Sequence, residues 1–357
     1  LSFSIEDDDG NRISLVRYEF EISNDKGSAA IASESLYRKD AGKREKLLLS
    51  FSRRDRKLSP ASALKELKAS GKDTALDLMV AMRMAEKEDV SFIFGADAAF
   101  PILSGIMPEV KILRSYADTS FIVLAADDSG LSGGILRISY QQMKDGKPVK
   151  GRILLDISKP AVISSEEEEF LGNLIDEMNK VLSAIVPRLR IGIYKVGDEL
   201  TAEGHRGVAV EIVSYKNDTP IPLRSESVGI IKIISLLSCL LAVYNSRSVC
   251  LVIDEFDASI FEFLLGELIS VFENGAKGQL IFTSHNLRIL EMVGSDSIVF
   301  STANPDNRYI RLKVKPGNLR DEYLRSLLLG GTEEDIYEKT DPYELGKALR
   351  NAWKRDG

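Results

Sequence analysis

The sequence is poor in the residues that build disulfide frameworks and zinc sites: two cysteines and two histidines stand among 357 residues. Cys239 and Cys250 both lie inside apolar runs. That setting suits buried thiols in a reducing compartment better than a disulfide scaffold or a cysteine metal site. An excess of positive charge is missing too. Lys and Arg total 47 against 54 Asp and Glu, a net charge of -7, which leaves no global electrostatic drive toward nucleic acid or an anionic membrane. The longest apolar stretch, VGIIKIISLLSCLLAV from Val228 to Val243, carries Lys232. It falls short of the roughly 20 residues a spanning helix needs and reads as a buried core helix. No signal peptide opens the chain. The expectation is an intracellular, cytoplasmic protein with no membrane partner, and 44% hydrophobic residues supply an ample globular core.

What is present falls into two textures. From Leu1 to about Ser52 apolar and polar residues alternate, as in ISLVRYEFEIS and KLLLSFS, with DDDGN as a turn between runs; this predicts an antiparallel sheet. From Pro60 to Glu88 the period becomes helical, with Ser59 as cap and Pro60 at the first helical position. Val149 to Ile157 and Leu189 to Val213 again read as strands. Between them SSEEEEFLGNLIDEMNKVLSAIVPRL predicts an amphipathic helix opened by a capping box, Ser165 with Glu168, and burying Phe170, Leu174, Ile175, Met178, Val181, Leu182 and Ile185. After Ser227 helix, strand, helix and strand alternate over Ile230 to Tyr244, Val249 to Ile253, Phe261 to Phe272 and Gln279 to Thr283. That order predicts parallel strands with crossover helices. A last helix starts at Pro342, boxed by Asp341 and Glu344, with Leu345, Leu349 and Trp353 on one face.

Ligands of parallel α/β sheets sit beyond the carboxyl ends of the strands, and there CLVIDEFDASI places Asp254, Glu255 and Asp257. Two adjacent acids at such an end suit a nucleotide hydrolase, one serving a hydrated magnesium ion and the next serving the attacking water. QLIFTSHN brings His285 to the same sheet edge, where an imidazole can donate a hydrogen bond to a transferring phosphoryl group. RSESVGIIKIISLL sets Ser225, Ser227 and Gly229 before an apolar helix, and a helix N-terminus with small hydroxyl residues and a close-approach glycine is an anion site. Each piece alone also has a structural reading: ordinary surface acids, a packing histidine, an N-cap.

In this order the three pieces resemble the C-terminal half of the ABC-type ATPases of the SMC, RecF and OLD clan, in the prokaryotic AAA family ATPase branch. The matching texts are ESVG (Glu226 to Gly229), DEFDASI (Asp254 to Ile260) and FTSHN (Phe282 to Asn286). The likeness runs from about His205 to Gly330, and SESLYRKD (Ser33 to Asp40) is compatible with it. The resemblance implies an α/β fold, a P-loop ABC-type ATPase head with an N-terminal antiparallel β subdomain and a mostly helical insertion. It places the N-terminal part of the head in 1–56, the insertion in 57–188, the C-terminal ATPase lobe in 189–320 and a helical tail in 321–357. It makes Asp254 the Walker B partner of Mg2+, Glu255 the residue that polarises water, and His285 the switch histidine at the γ-phosphate of ATP. Asp257 and Ser259 become the D-loop crossing to a second subunit. Ser227 and Gly229, with Ser225 beside them, meet the nucleotide held by that subunit. Hydrolysis then requires a homodimer or higher homo-oligomer.

One part of the pattern is missing. The phosphate-cradling text GxxxxGK[ST] does not occur, and FIFGADAAF (Phe92 to Phe100) has Gly95 without a Gly-Lys pair. In the family this loop precedes strands like those at the start of this chain, and a beginning at Leu1 rather than Met predicts that residues lie upstream; the other reading is a copy that has lost nucleotide binding. LSGG at Leu131 to Gly134 copies the transporter signature but sits in a turn text far ahead of the Asp254 strand. Gln141 and Gln142 have no fixed place relative to a phosphate loop, and SRRDRK (Ser52 to Lys57) reads as a solvated run. The resemblance thus implies an ATP-controlled dimeric clamp regulating a partner effector, a nuclease acting in trans, in prokaryotic anti-phage defence, with nucleic acid as a further possible partner. A non-hydrolysing scaffold and a DNA-repair ATPase of the RecF or SMC type are the alternatives, and a transporter domain is a weaker third.

Overall fold

The structure is a computed structural model that describes residues 2–6, 12–25, 27–55, 57–60, 72–95, 99–128, 130–132, 134–144, 147–201, 204–216, 219–312, 318–329, 336 and 340–353. It divides into two compact units, Leu1–Asp118 and Thr119–Gly357. The first is an antiparallel meander of β1 (Ser2–Glu6), β2 (Arg12–Asp25), β3 (Ser28–Asp40), β4 (Lys46–Ser52) and β5 (Lys57–Ser59), each paired with the next. Alternation dictates its two faces. Ser14, Val16 and Tyr18 of β2 are buried, as are Leu49 and Phe51 of β4. Three helices close this face: α1 (Lys72–Glu88), α2 (Phe100–Ile106) and α3 (Pro108–Thr119). Leu78, Ala81 and Ala85 form the inward stripe of α1 and join Val16, Leu36 and Phe51 in one cluster. Residues 7–11 and 61–71, where a turn and the first part of a helix are expected, lie outside the described residues.

The second unit opens with β6 (Phe121–Leu124), the hairpin strands β7 (Gly130–Ser132), β8 (Ile135–Lys144) and β9 (Lys147–Asp156), then β10 (Ala161–Ile163) and α4 (Ser165–Ile185). There follow β11 (Leu189–Leu200), β12 (Arg206–Lys216), β13 (Thr219–Pro222), α5 (Val228–Asn245), β14 (Cys250–Ile253), α6 (Glu262–Gly275) and β15 (Gln279–Phe282). A short helix α7 (Ile289–Met292), the pair β16 (Phe300–Ser301) and β17 (Tyr309–Ile310), α8 (Leu319–Leu329) and α9 (Pro342–Trp353) complete it. Two antiparallel sheets, β7-β8-β9 and β10-β12-β11 with β13 on β12, accompany one parallel sheet in the order β15-β14-β6. The sequence expectation of parallel strands at β14 and β15 holds.

α5 binds the unit together. Ile231, Ile234 and Leu237 enter a cluster with α4, β8, β11 and β12. Ile233, Leu236, Cys239, Leu240 and Val243 enter another with β14, α6 and β6. A helix used on two sides has no polar face, which is why its sequence is apolar all round. Among the described residues it is the one helix long and apolar enough to cross a membrane, and 61% of it is buried within the protein. Burial also pushes the Cys239 thiol up to about 12.

Two expectations shift. The stretch 57–188 is not one insertion in the packing: helices fill 72–119, but β6 pairs in parallel with β14 and belongs to the second unit. Four residues of FIVL lack any period that announces a strand, and the partner lies far along the chain. The capping box of α4 is Ser164 with Glu167, one residue earlier than expected; the text SSEEEE satisfies the spacing twice. The same helix buries Leu171 where Phe170 was expected, and Phe170 sits exposed against Tyr140.

Candidate active site

The site grows from the register of the parallel sheet. Ile253 of β14 lies opposite Phe282 of β15 and Leu124 of β6, so the three strands end together. Asp254 N–H extends the ladder to Leu124 O at 2.9 Å, and Thr283 N–H donates to Ile253 O at 3.0 Å. Past these bonds the β14 chain turns sharply, and Glu255 takes a left-handed backbone with φ of 50°. A non-glycine residue persists there only when its neighbours over-determine it. Here both of its peptide groups are held by side chains. Thr283 Oγ1 accepts the Glu255 N–H at 2.8 Å while its own hydroxyl donates to Asp254 Oδ1. Lys232 Nζ of α5 donates to Glu255 O at 2.6 Å.

The rest of the loop is pinned at both ends. Phe256 and Ile260 are buried in the core, at 1% and 7% exposure. Asp257 turns its carboxylate to the His285 N–H, with Oδ2 at 3.2 Å and Oδ1 at 3.4 Å, and so fixes the backbone that presents the imidazole. Ser259 is again left-handed, φ 66°. Its carbonyl lies against Gly229, where a Cβ would stand 2.1 Å from Ser259 O; no other residue fits at 229 without moving the loop.

The first turn of α5 is capped by Ser227, whose side chain accepts the Ile230 N–H at 3.3 Å. Glu226 anchors the preceding turn to β12, accepting from Ser214 Oγ at 2.7 Å and Lys216 Nζ at 2.9 Å. Ser225 closes a 3-10 turn, and Ser225 and Ser227 are exposed while Gly229 is buried.

Asp254, Glu255 and His285 are thus exposed at one end of one sheet, and Asp257 lies half-buried between the histidine strand and the acid loop. The close approach of Gly229 is made with its own chain's loop. Neither the Glu255 carboxylate nor the His285 ring has a hydrogen-bond partner among the described residues, so both remain available. Thr283 and Lys232 hold the acid loop through their hydrogen bonds, and motif reading passed over both. Thr283 could be found as the hydroxyl opposite Asp254 in the strand register, and Lys232 as the lone charge in an apolar helix. Lys232 is 5% exposed; burial holds its pKa below the ordinary lysine value, and the carboxylates of Asp257, Glu255 and Asp254 oppose that shift.

The remaining sequence candidates fall elsewhere. Gly134 of the LSGG text sits at φ 84° in the turn between β7 and β8, as expected of a turn, and Gly133 lies outside the described residues. Gln141 Nε2 donates to Thr119 O at 2.8 Å, at the opposite end of β6 from the acids. Arg53 of the basic run is tied to Asp89 at 2.6 Å and to Ala85 O at 2.8 Å.

Among the described residues no group of three or more His, Cys, Asp or Glu side chains is arranged to hold a metal by protein alone. A single strand-end carboxylate does suit Mg2+, which keeps waters and takes its remaining ligands from phosphates.

A parallel sheet with adjacent acids and a histidine at its carboxyl edge, faced by a capped small-residue turn, is an arrangement that suits nucleotide-hydrolysing α/β domains. Residues 138–291 match the family described as "AAA domain, putative AbiEii toxin, Type IV TA system". No curated protein matches the chain. Among solved structures it is similar to the crystal structure of the SmcHead bound to the C-winged helix domain of ScpA, with 10% identity and a TM-score of 0.25, covering 78% of this chain and 68% of that one.

Proposed function

We propose that the protein binds and hydrolyses ATP as an ATP-controlled dimeric clamp, and that it regulates an effector, a nuclease, in prokaryotic anti-phage defence. The observation that carries the hydrolytic reading is the split state of Glu255: its backbone is clamped from both sides, and its carboxylate is exposed without a hydrogen-bond partner beside Asp254. Mg2+ bound with ATP neutralises charge developing on the phosphates. Asp254, oriented by Thr283, is the residue to hold that ion. Glu255 orients the attacking water and accepts its proton. His285, its backbone steadied by Asp257, donates a hydrogen bond where negative charge grows. Ser225 and Ser227 at the exposed first turn of α5 face the nucleotide of a second copy, with Gly229 and Ser259 setting the height of that turn. The toxin and toxin-antitoxin wording of the matched family supports a defence role.

The experiment is ATP turnover by the full-length gene product beside its Glu255→Gln variant. Turnover that collapses in the variant while nucleotide binding persists supports the reading. Equal turnover in both rejects Glu255 as the catalytic base. A non-hydrolysing scaffold is the second reading, favoured by the lack of a GxxxxGK[ST] text in these 357 residues; failure of the full-length protein to bind ATP at all supports it.

A further inference from the structure

We propose that Lys232 is a positioning residue of this site, locking the Glu255 peptide to the first turn of α5 so that the turn and the acid move as one body. The inference rests on the hydrolytic reading for its consequence and on geometry for its substance. Gly229 and Lys232 are three residues apart and share one face of α5. Along that face lies the loop that follows β14. Gly229 meets Ser259 O so closely that a Cβ would stand 2.1 Å away, and Lys232 Nζ reaches Glu255 O at 2.6 Å. The two contacts clasp the loop near both ends, at its two left-handed residues, Glu255 and Ser259.

A buried ammonium is a costly way to satisfy one carbonyl, since a solvated backbone oxygen needs no partner. Lys232 is the only charged side chain in α5, and it is directed at the peptide that sets where the Glu255 carboxylate points. A displaced acid misplaces the water it orients, and small misplacements are expensive in rate. The same rigid connection makes the first turn of α5 a sensor. Whatever engages the exposed Ser225 and Ser227 bears, through one helical turn, on the catalytic carboxylate.

The test uses the full-length protein with Lys232→Met, which keeps the unbranched apolar stem and removes the charged donor, and Lys232→Arg, which keeps a donor. Lys232→Met is expected to lower kcat about tenfold or more with KM for ATP little changed, and Lys232→Arg to recover most of the loss. Independently of turnover, hydrogen exchange of the amides from Glu255 to Ser259 is expected to accelerate in Lys232→Met, while β11 and β12 keep their protection. Unchanged exchange in that loop overturns the inference. So does a fall in activity that runs in step with global unfolding and is not rescued by arginine, because that marks Lys232 as a packing residue only. If the wild type turns over no ATP, the hydrolytic reading fails by itself, and the exchange comparison still decides whether Lys232 holds the loop.

Discussion

Two glutamates, one in each unit, are held in opposite ways. Glu34 on β3 is 1% exposed, and its carboxylate takes the Tyr18 hydroxyl at 2.9 Å, the Ser91 hydroxyl at 2.7 Å and the Phe92 N–H at 2.6 Å. Its backbone is ordinary strand. Glu255 reverses every term: the backbone is unusual and clamped, and the side chain is exposed and without a hydrogen bond. Burial raises the pKa of Glu34, against the opposing pull of bonds from Ser91, Tyr18, Phe92 and Ile93. A carboxylate saturated with donors has no lone pair left for a substrate, so it does structural work. A carboxylate aimed by its own peptide and left open can act on one. Chemistry is therefore to be sought where the main chain is over-determined and the side chain is not.

The contrast can be broken by substitution. The largest effect is expected from Glu255→Gln in the full-length protein: turnover down on the order of a hundredfold or more, with ATP binding and thermal midpoint held, measured by steady-state hydrolysis and nucleotide titration. Glu34→Ala should do the reverse. It removes the acceptor of two hydroxyls and a buried N–H, costs about 2 kcal/mol of stability, and shows as faster hydrogen exchange in β2 to β4 with the acid loop undisturbed. Gly229→Ala should fall between, since the added methyl pushes the Ser259 peptide; a loss of about tenfold in turnover with a modest loss of stability is expected. The gentlest probe is pH. A carboxylate whose folded pKa is raised binds more protons folded than unfolded between those two values. The stability of the first unit should therefore be highest below the model-compound value of 4.5 and decline as pH rises through the folded pKa. Chemical denaturation across that range should show the decline, and Glu34→Gln should flatten it.

Much of the second unit was legible because its signals are local. β14 and β15 are short apolar runs ended by motifs, and α9 begins where Asp341 caps the N–H of Tyr343 at 2.8 Å and of Glu344 at 3.3 Å. Asp254, Glu255 and His285 could be placed at one sheet edge from strand order alone. What escaped depended on distant partners. β6 is a strand because β14 pairs with it. The threonine that bridges Asp254 and Glu255 is an ordinary strand residue until the register is known. Gly229 reads as a ligand-approach glycine, and only packing reveals that Ser259 occupies the space.

α5 contributes to both hydrophobic clusters of the second unit, and this has a dynamic side. A helix that forms a wall of two cores cannot leave one without opening the other, so the antiparallel sheets and the parallel sheet share a single cooperative fate. The buried middle of α5 opens only when the unit as a whole does, and the turn capped by Ser227 is thereby mounted on a helix held from two sides.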